Sequence, residues 1–402
     1  MLTFPTNALA DSLERFLGDV QNGPGQALKS PIKLDWGGPV GGAAQGVQVI
    51  ATWAQMQGAN RTLRLAGAFG QAENTRDRFA STLPGMAALY FAKSIESDGE
   101  AFSRFKALES VAQRVQAMQS GDFHETLRGP GVALCCFGGA RNEFLRALYE
   151  RSEPSHVRSL PDFTVLMQRI LQAAGDNANR ALDEGQLAYL SALVHQLFLN
   201  ADEHGSYDAR GMRLEEMMRG IVLRVTPISK AKSFVTAAAN DVPLRGYISK
   251  LVATSGSDKD DTPGAGDKAE KARLSRPLWL VELSVFDTGP GLALRWLSGK
   301  EGLTDPAGMS SEQELDAVQK CFRKHATTKD SAFRGEGLMV ALRAMRKLQA
   351  FMTLRTGRFS LYQDFSRGKQ VATEFLPQHR FAKRPVLSRI AGTAYNITFL
   401  AR

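Results

Sequence analysis

Between Leu187 and Gly205 the chain reads LAYLSALVHQLFLNADEHG, in which apolar Leu187, Leu190, Leu193, Val194, Leu197 and Ala201 recur every three or four residues. That spacing predicts an amphipathic helix with one buried stripe. Gln196, Asn200, Glu203 and His204 then fall together on another face. A carboxamide in mid-helix, with groups one turn before and after it, is placed to offer its oxygen to Mg²⁺, which takes oxygen ligands and shares them with substrate phosphates. Asn200 is thus the candidate metal ligand, although the same position would also suit a buried amide tied to backbone.

Two further stretches follow in order. LVELSVFDTGPGL, from Leu280 to Leu292, predicts a buried strand ending in Asp287-Thr288-Gly289-Pro290-Gly291. An aspartate at a strand end beside two glycines can accept a hydrogen bond from an exocyclic amine, while bare backbone lets a flat base approach. KHATTKDSAFRGEGL, from Lys324 to Leu338, precedes an apolar-periodic helix over Met339 to Leu348. Gly335 and Gly337 at its start would expose backbone N–H groups to an anion, with the helix dipole favouring negative charge there. Lys329 and Arg334 stand just upstream, on a loop able to fold over phosphates.

Other nucleotide signatures are absent. No GxxxxGK[ST] occurs, which excludes a P-loop, and the Gly138-Gly139 pair between the apolar strand Gly131 to Phe137 and an expected helix at Arg141 to Arg151 lacks GxGxxG spacing. Cys135 and Cys136 are adjacent and Cys321 is alone, so neither a disulfide framework nor a CxxC metal knuckle is available. No stretch approaches the ~20 apolar residues that cross a bilayer, and the start, MLTFPTNALADSLERF, lacks a basic region followed by an apolar one. The expectation is a cytoplasmic protein without membrane contact.

With 402 residues, 43% of them hydrophobic and 23% charged, the chain is long enough for two or three domains of about 150 residues. Residues 1–95 read as α/β: a helix near Ala8 to Val20, a strand Ile32 to Trp36, a helix through Ala43 to Met56 and a strand Thr62 to Leu65. This order is similar to the STAS-like domains that accompany some bacterial ATP-binding proteins. A mixed connecting region, 96–165, carries a helical pattern from Phe102 to Met118. Thr254 to Arg276 has no apolar residue larger than alanine until Leu274, and is expected to be a mobile surface excursion. Lys+Arg 50 against Asp+Glu 41 gives a net charge of +9, which fits either an anionic partner such as nucleic acid or a solvated basic face.

NADEHG, then DTGPG, then TTK with GEGL, and finally Gly392-Thr393 in the last strand form an ordered set over Leu187 to Leu400. The set resembles the GHKL ATP-binding fold of gyrase B, heat-shock chaperones of the Hsp ninety class, histidine kinases and MutL. The resemblance implies an α+β protein whose C-terminal domain, 166–402, is a two-layer α/β sandwich on a mixed, mainly antiparallel sheet of the Bergerat type. It implies ATP and Mg²⁺ as cofactors. Asn200 then binds the metal, Asp287 recognises the adenine amino group, and Gly289 and Gly291 shape that pocket. Gly335 and Gly337 adjoin the phosphates, Thr393 helps hold adenine through water, and Lys329 and Arg334 belong to a lid spanning 293–334.

One departure from the family pattern bears on chemistry. Hydrolytic members carry a glutamate four residues before the asparagine, where it acts as general base on water; here that position is Gln196. An amide cannot take the proton. His195 is one residue, about 100°, out of register, which leaves Gln196, Glu203 and His204 as the candidate catalytic positions. The leading expectation is a nucleotide-dependent switch with slow or absent hydrolysis, acting on a protein partner or as a homodimer. The alternatives are a histidine or anti-sigma serine kinase, for which His124 is the only faint phosphoacceptor, and a nucleic-acid-binding module with an ATP-sensing site.

Overall fold

The computed structural model describes the chain apart from residues 8, 35–39, 59, 130, 154, 176–181, 228–240, 257–278, 324–335, 367–373 and 402. The N-terminal part alternates strands and helices: β1 (Leu2–Thr3), α1 (Ala10–Asn22), β2 (Leu28–Lys29), α2 (Val40–Gln57), β3 (Thr62–Leu65), the short α3 (Ala68–Gln71), α4 (Glu73–Ala80), α5 (Leu83–Phe91), β4 (Ser94–Ser97) and β5 (Glu100–Phe102). β1 to β4 pair in parallel in chain order, and β5 returns antiparallel on β4 across a turn at Asp98 and Gly99. The expected strand at Ile32 to Trp36 is displaced. Pairing falls on Leu28–Lys29, Ile32 to Leu34 is not strand, and Asp35 and Trp36 lie outside the described residues.

The remainder comprises α6 (Arg104–Ser120), β6 (Val132–Phe137), α7 (Leu160–Ala174), α8 (Glu184–Gly205), β7 (Met218–Pro227), α9 (Val242–Gly256), β8 (Trp279–Asp287), α10 (Leu292–Glu301), α11 (Ser311–Cys321), α12 (Gly337–Lys347), β9 (Phe351–Gly357), β10 (Phe359–Asp364), β11 (Gln378–His379) and β12 (Ile390–Ala401). The protein is α+β. Its second sheet has the order β11-β10-β9-β12-β8-β7-β6, and every described pairing in it is antiparallel. Among the described residues the parallel pairs all lie in the N-terminal sheet, so the described C-terminal sheet is antiparallel where a mixed one was expected. The region expected to connect the domains supplies β5 to the first sheet and β6 to the second. Of the expected excursion, Thr254 to Gly256 close α9 and 257–276 lies outside the described residues.

Both faces of the second sheet are covered. Successive residues of a strand point to opposite faces, and on β12 Tyr395 meets Asn200 of α8, while Asn396 meets Gly41 of α2. α2 from the N-terminal part therefore adds a third layer to the expected two. A Cβ on Gly41 would stand 2.7 Å from Asn396 Cγ, so glycine is what permits this approach. Beneath it Asn396 accepts from Ser284 Oγ at 2.7 Å and donates to Thr353 Oγ1 at 3.2 Å, satisfying a polar row across three strands. Glu14 of α1 pairs in bidentate fashion with Arg355 of β9, at 2.7 and 3.0 Å, with both side chains at most 2% exposed. Gln45 Nε2 also donates to Glu14, and Arg355 donates to the Gly357 and Ser388 carbonyls, so the buried charges are fully solvated by protein.

The expected helix from Arg141 to Arg151 does not form; the segment is a series of turns. Tertiary demands override its propensity. Leu145, Leu148 and Tyr149 are buried, the Arg146 N–H donates to Gln119 Oε1, Tyr149 bridges to Val157, and Glu143 is drawn between Arg213 and Arg219.

Candidate functional site

α8 starts at Asp183, whose carboxylate accepts the Gln186 N–H at 2.7 Å, and presses Leu190, Leu193, Val194, Leu197 and Ala201 into the core. That leaves Asn200 half-buried on its flank, with Nδ2 donating to Tyr395 Oη at 3.2 Å. The amide is held by its nitrogen, which turns the oxygen away from Tyr395. One turn earlier on α8, Gln196 meets the start of α12: a Cβ on Gly337 would stand 2.7 Å from Gln196 Oε1. Glu336, preceding α12, gives its first turn no side-chain cap, so the first N–H groups of that helix have no intrahelical partner.

Asp287 ends β8, in register with Arg219 of β7, and is 3% exposed. Its Oδ1 accepts the Gly289 N–H at 2.9 Å, and the Thr393 N–H donates to the same carboxylate. Burial pushes its pKa up to about 7, against the pull of those two N–H groups and of Arg219. Bare backbone encloses it. A Cβ on Gly289 would stand 2.7 Å from Gly205 Cα, and Gly392, at φ +68°, would bring a Cβ to 2.6 Å from Thr288 Cα. Gly291, at φ +83°, starts α10, and the Leu292 N–H donates to Thr356 Oγ1, itself 3.3 Å from Thr393 Oγ1.

The structure thus brings Gln196, Asn200, Gly337 and Tyr395 together, and Asp287, Gly289, Gly291 and Thr393 together at the end of the same helix. Lys329, Arg334 and Gly335 lie outside the described residues. Of the expected lid, the part before 324 is docked: Leu294, Leu297, Val318 and Phe322 are buried, and Glu314 of α11 accepts the Arg358 N–H at 2.8 Å and pairs with Arg358 and Arg389 at 2.5 and 3.1 Å. Glu203 and His204 are half-buried, but Glu203 lines a separate cavity with Asp202 and Ser206. His195 faces elsewhere, its Nε2 3.1 Å from the Arg158 carbonyl, and burial lowers its pKa. His124 is exposed on a single 3-10 turn, Phe123–Glu125.

Among the described residues no cluster of three or more His, Cys, Asp or Glu could hold a metal, and no helix is long and apolar enough to cross a membrane. Sequence reasoning missed Tyr395 and Arg219. An arginine inside the apolar run Met217 to Val222 was a readable sign of a buried partner; Tyr395 reads as ordinary core. No protein-family model, curated protein or solved structure matches this chain.

Proposed function

We propose that the chain binds Mg²⁺-ATP through a GHKL-type, Bergerat-type site in the cytoplasm, and acts as a nucleotide-dependent switch with slow or absent hydrolysis. The observation that carries this reading is the convergence on α8 of three separated sequence motifs: Gly337 touches Gln196, Asn200 lies one turn on, and Asp287 rests on Gly205. The residues suit the ligand. Asn200 would present its carboxamide oxygen to Mg²⁺, which keeps water and phosphate oxygens as its other ligands and neutralises phosphate charge.

Asp287 has an acceptor oxygen for the adenine amine, with Gly289 and Thr393 N–H groups fixing its plane. The uncapped first turn of α12 offers N–H groups to the phosphates. Gln196 can orient a water but cannot deprotonate it, so the bound state persists. In this reading the state is communicated through α2, where Gln55 donates to the Thr288 carbonyl at 3.1 Å and Thr52 accepts the Ala391 N–H at 2.8 Å. Those backbone groups adjoin Asp287 and Gly392.

Calorimetry with ATP, in the presence and absence of Mg²⁺, tests the site. Binding should need the metal and be weakened by roughly 1.5–3 kcal/mol in Asp287→Asn, the range for a hydrogen bond to a charged group. No binding, or equal binding of GTP, would refute it. Incubation with γ-labelled ATP, scored for free phosphate, phosphoprotein or neither, separates slow hydrolysis from phosphotransfer.

A further inference from the structure

Asn200 of α8 meets β12 through its amide nitrogen, which donates to Tyr395 Oη at 3.2 Å. Its Oδ1 has no hydrogen-bond partner among the described residues, yet it is not one of the side-chain atoms sealed from water. An amide held at one end and open at the other has a fixed acceptor to offer. Tyr395 suits the task of holding it. Its side chain is 1% exposed, and burial raises its pKa well above the ordinary value, so the hydroxyl keeps its proton.

The tyrosine is itself held in place. Phe322, the C-cap of α11, meets the Tyr395 ring edge to face, with centroids 6.5 Å apart and planes at 72°. Phe322 in turn stacks on Phe375 at 3.9 Å. The backbone of Tyr395 lies between two strands, opposite Val285 of β8 and Leu354 of β9. A neutral hydroxyl can serve either end of a carboxamide, since it both donates and accepts. A cation on the open side removes that choice. Mg²⁺ takes oxygen ligands, so the nitrogen is the end that must turn to Tyr395, as it does here.

We propose that Tyr395 is a positioning residue for the metal: its hydroxyl accepts from the Asn200 amide nitrogen and thereby aims Oδ1 at Mg²⁺. The inference rests on the nucleotide reading above and adds to it a core residue of β12 that acts through Asn200.

The test is calorimetric titration of the full chain with ATP at a series of free Mg²⁺ concentrations, which gives the concentration for half-maximal binding. Tyr395→Phe keeps the ring and its contact with Phe322 and removes the hydroxyl alone. It should raise that midpoint about fivefold, the loss of one hydrogen bond, with the wild-type stoichiometry retained at saturating Mg²⁺. A merely structural tyrosine would lower the stoichiometry at every Mg²⁺ concentration and leave the midpoint in place. Asn200→Asp offers two equivalent oxygens and needs no aiming, so adding Tyr395→Phe to it should move the midpoint less than about twofold. An unmoved midpoint in folded Tyr395→Phe, or the full shift in the Asn200→Asp background, overturns the inference and leaves the nucleotide reading standing. Wild-type protein that binds no Mg²⁺-ATP refutes the reading, and the inference falls with it. Should Tyr395→Phe fail to fold, Phe322→Leu decides, because it loosens the tyrosine ring without touching Asn200; a midpoint at the wild-type value overturns the inference.

Discussion

Gly205, the last residue of α8, lies so close to Asp287 that a β-carbon on it would stand 2.6 Å from the aspartate Cγ. The helix that carries Asn200 and the strand that ends in Asp287 are thus set against each other by one contact without a side chain.

Gly205→Ala should therefore cost about 1–3 kcal/mol, the usual penalty for forcing a methyl group into a packed interior. Denaturant unfolding measures it, and a loss below about 0.5 kcal/mol would show that helix and strand can part freely at this point.

Asp287 should make stability depend on pH in a definite direction. Its pKa rises from an ordinary 3.8 to about 7 on folding, so the folded state holds the proton more tightly. The resulting stabilisation is complete below the unfolded value and disappears as pH rises through about 7. The difference in unfolding free energy between wild type and Asp287→Asn should fall over that window and level off above it. If adenine donates to the ionised carboxylate, ATP binding near pH 7 should also release a fraction of a proton. Calorimetry in buffers of different ionisation enthalpy reads this directly, and proton uptake would contradict it.

Gln196→Glu places a carboxylate where hydrolysis needs a base. Phosphate release should accelerate, with a ceiling of ~10²–10⁴-fold for a well-positioned base. An unchanged rate in a folded, ATP-binding variant would mean that water does not reach this position.

Glu14→Gln should be severely destabilising, by about 3–5 kcal/mol, because it leaves Arg355 charged and buried without its counter-ion. Urea unfolding gives the number. A cost under 1 kcal/mol would mean that Gln45 and the carbonyls around Arg355 suffice to hold it.

What could be read from the sequence was whatever depends on local periodicity. The Leu187 to Gly205 stripe became α8, LVELSVFD became β8, and Thr62 to Leu65 became β3. Arg141 to Arg151 misled because its residues favour helix, while Glu143, Leu145 and Tyr149 each have a distant partner that a helix would not allow all to meet. β2 was misplaced because a two-residue parallel strand carries almost no pattern of its own. Within the site, spacing grouped Asn200 with Gln196 correctly. Spacing could not show that Glu203 lines a cavity with Arg219 and Ser206, since that depends on where β7 and α10 arrive.

The glycine contact of α2 with β12 bears on how such a chain can be inherited. The N-terminal sheet sends into the second sheet a helix whose approach is fitted to Asn396, and whose Gln48 side chain donates to the Arg355 and Ala391 carbonyls at 3.2 and 3.0 Å. A foreign N-terminal unit joined by recombination would need a glycine opposite Asn396 and an amide opposite Ala391 before it could seat. The two halves must therefore change in step, and their junction is the part of the molecule least open to exchange.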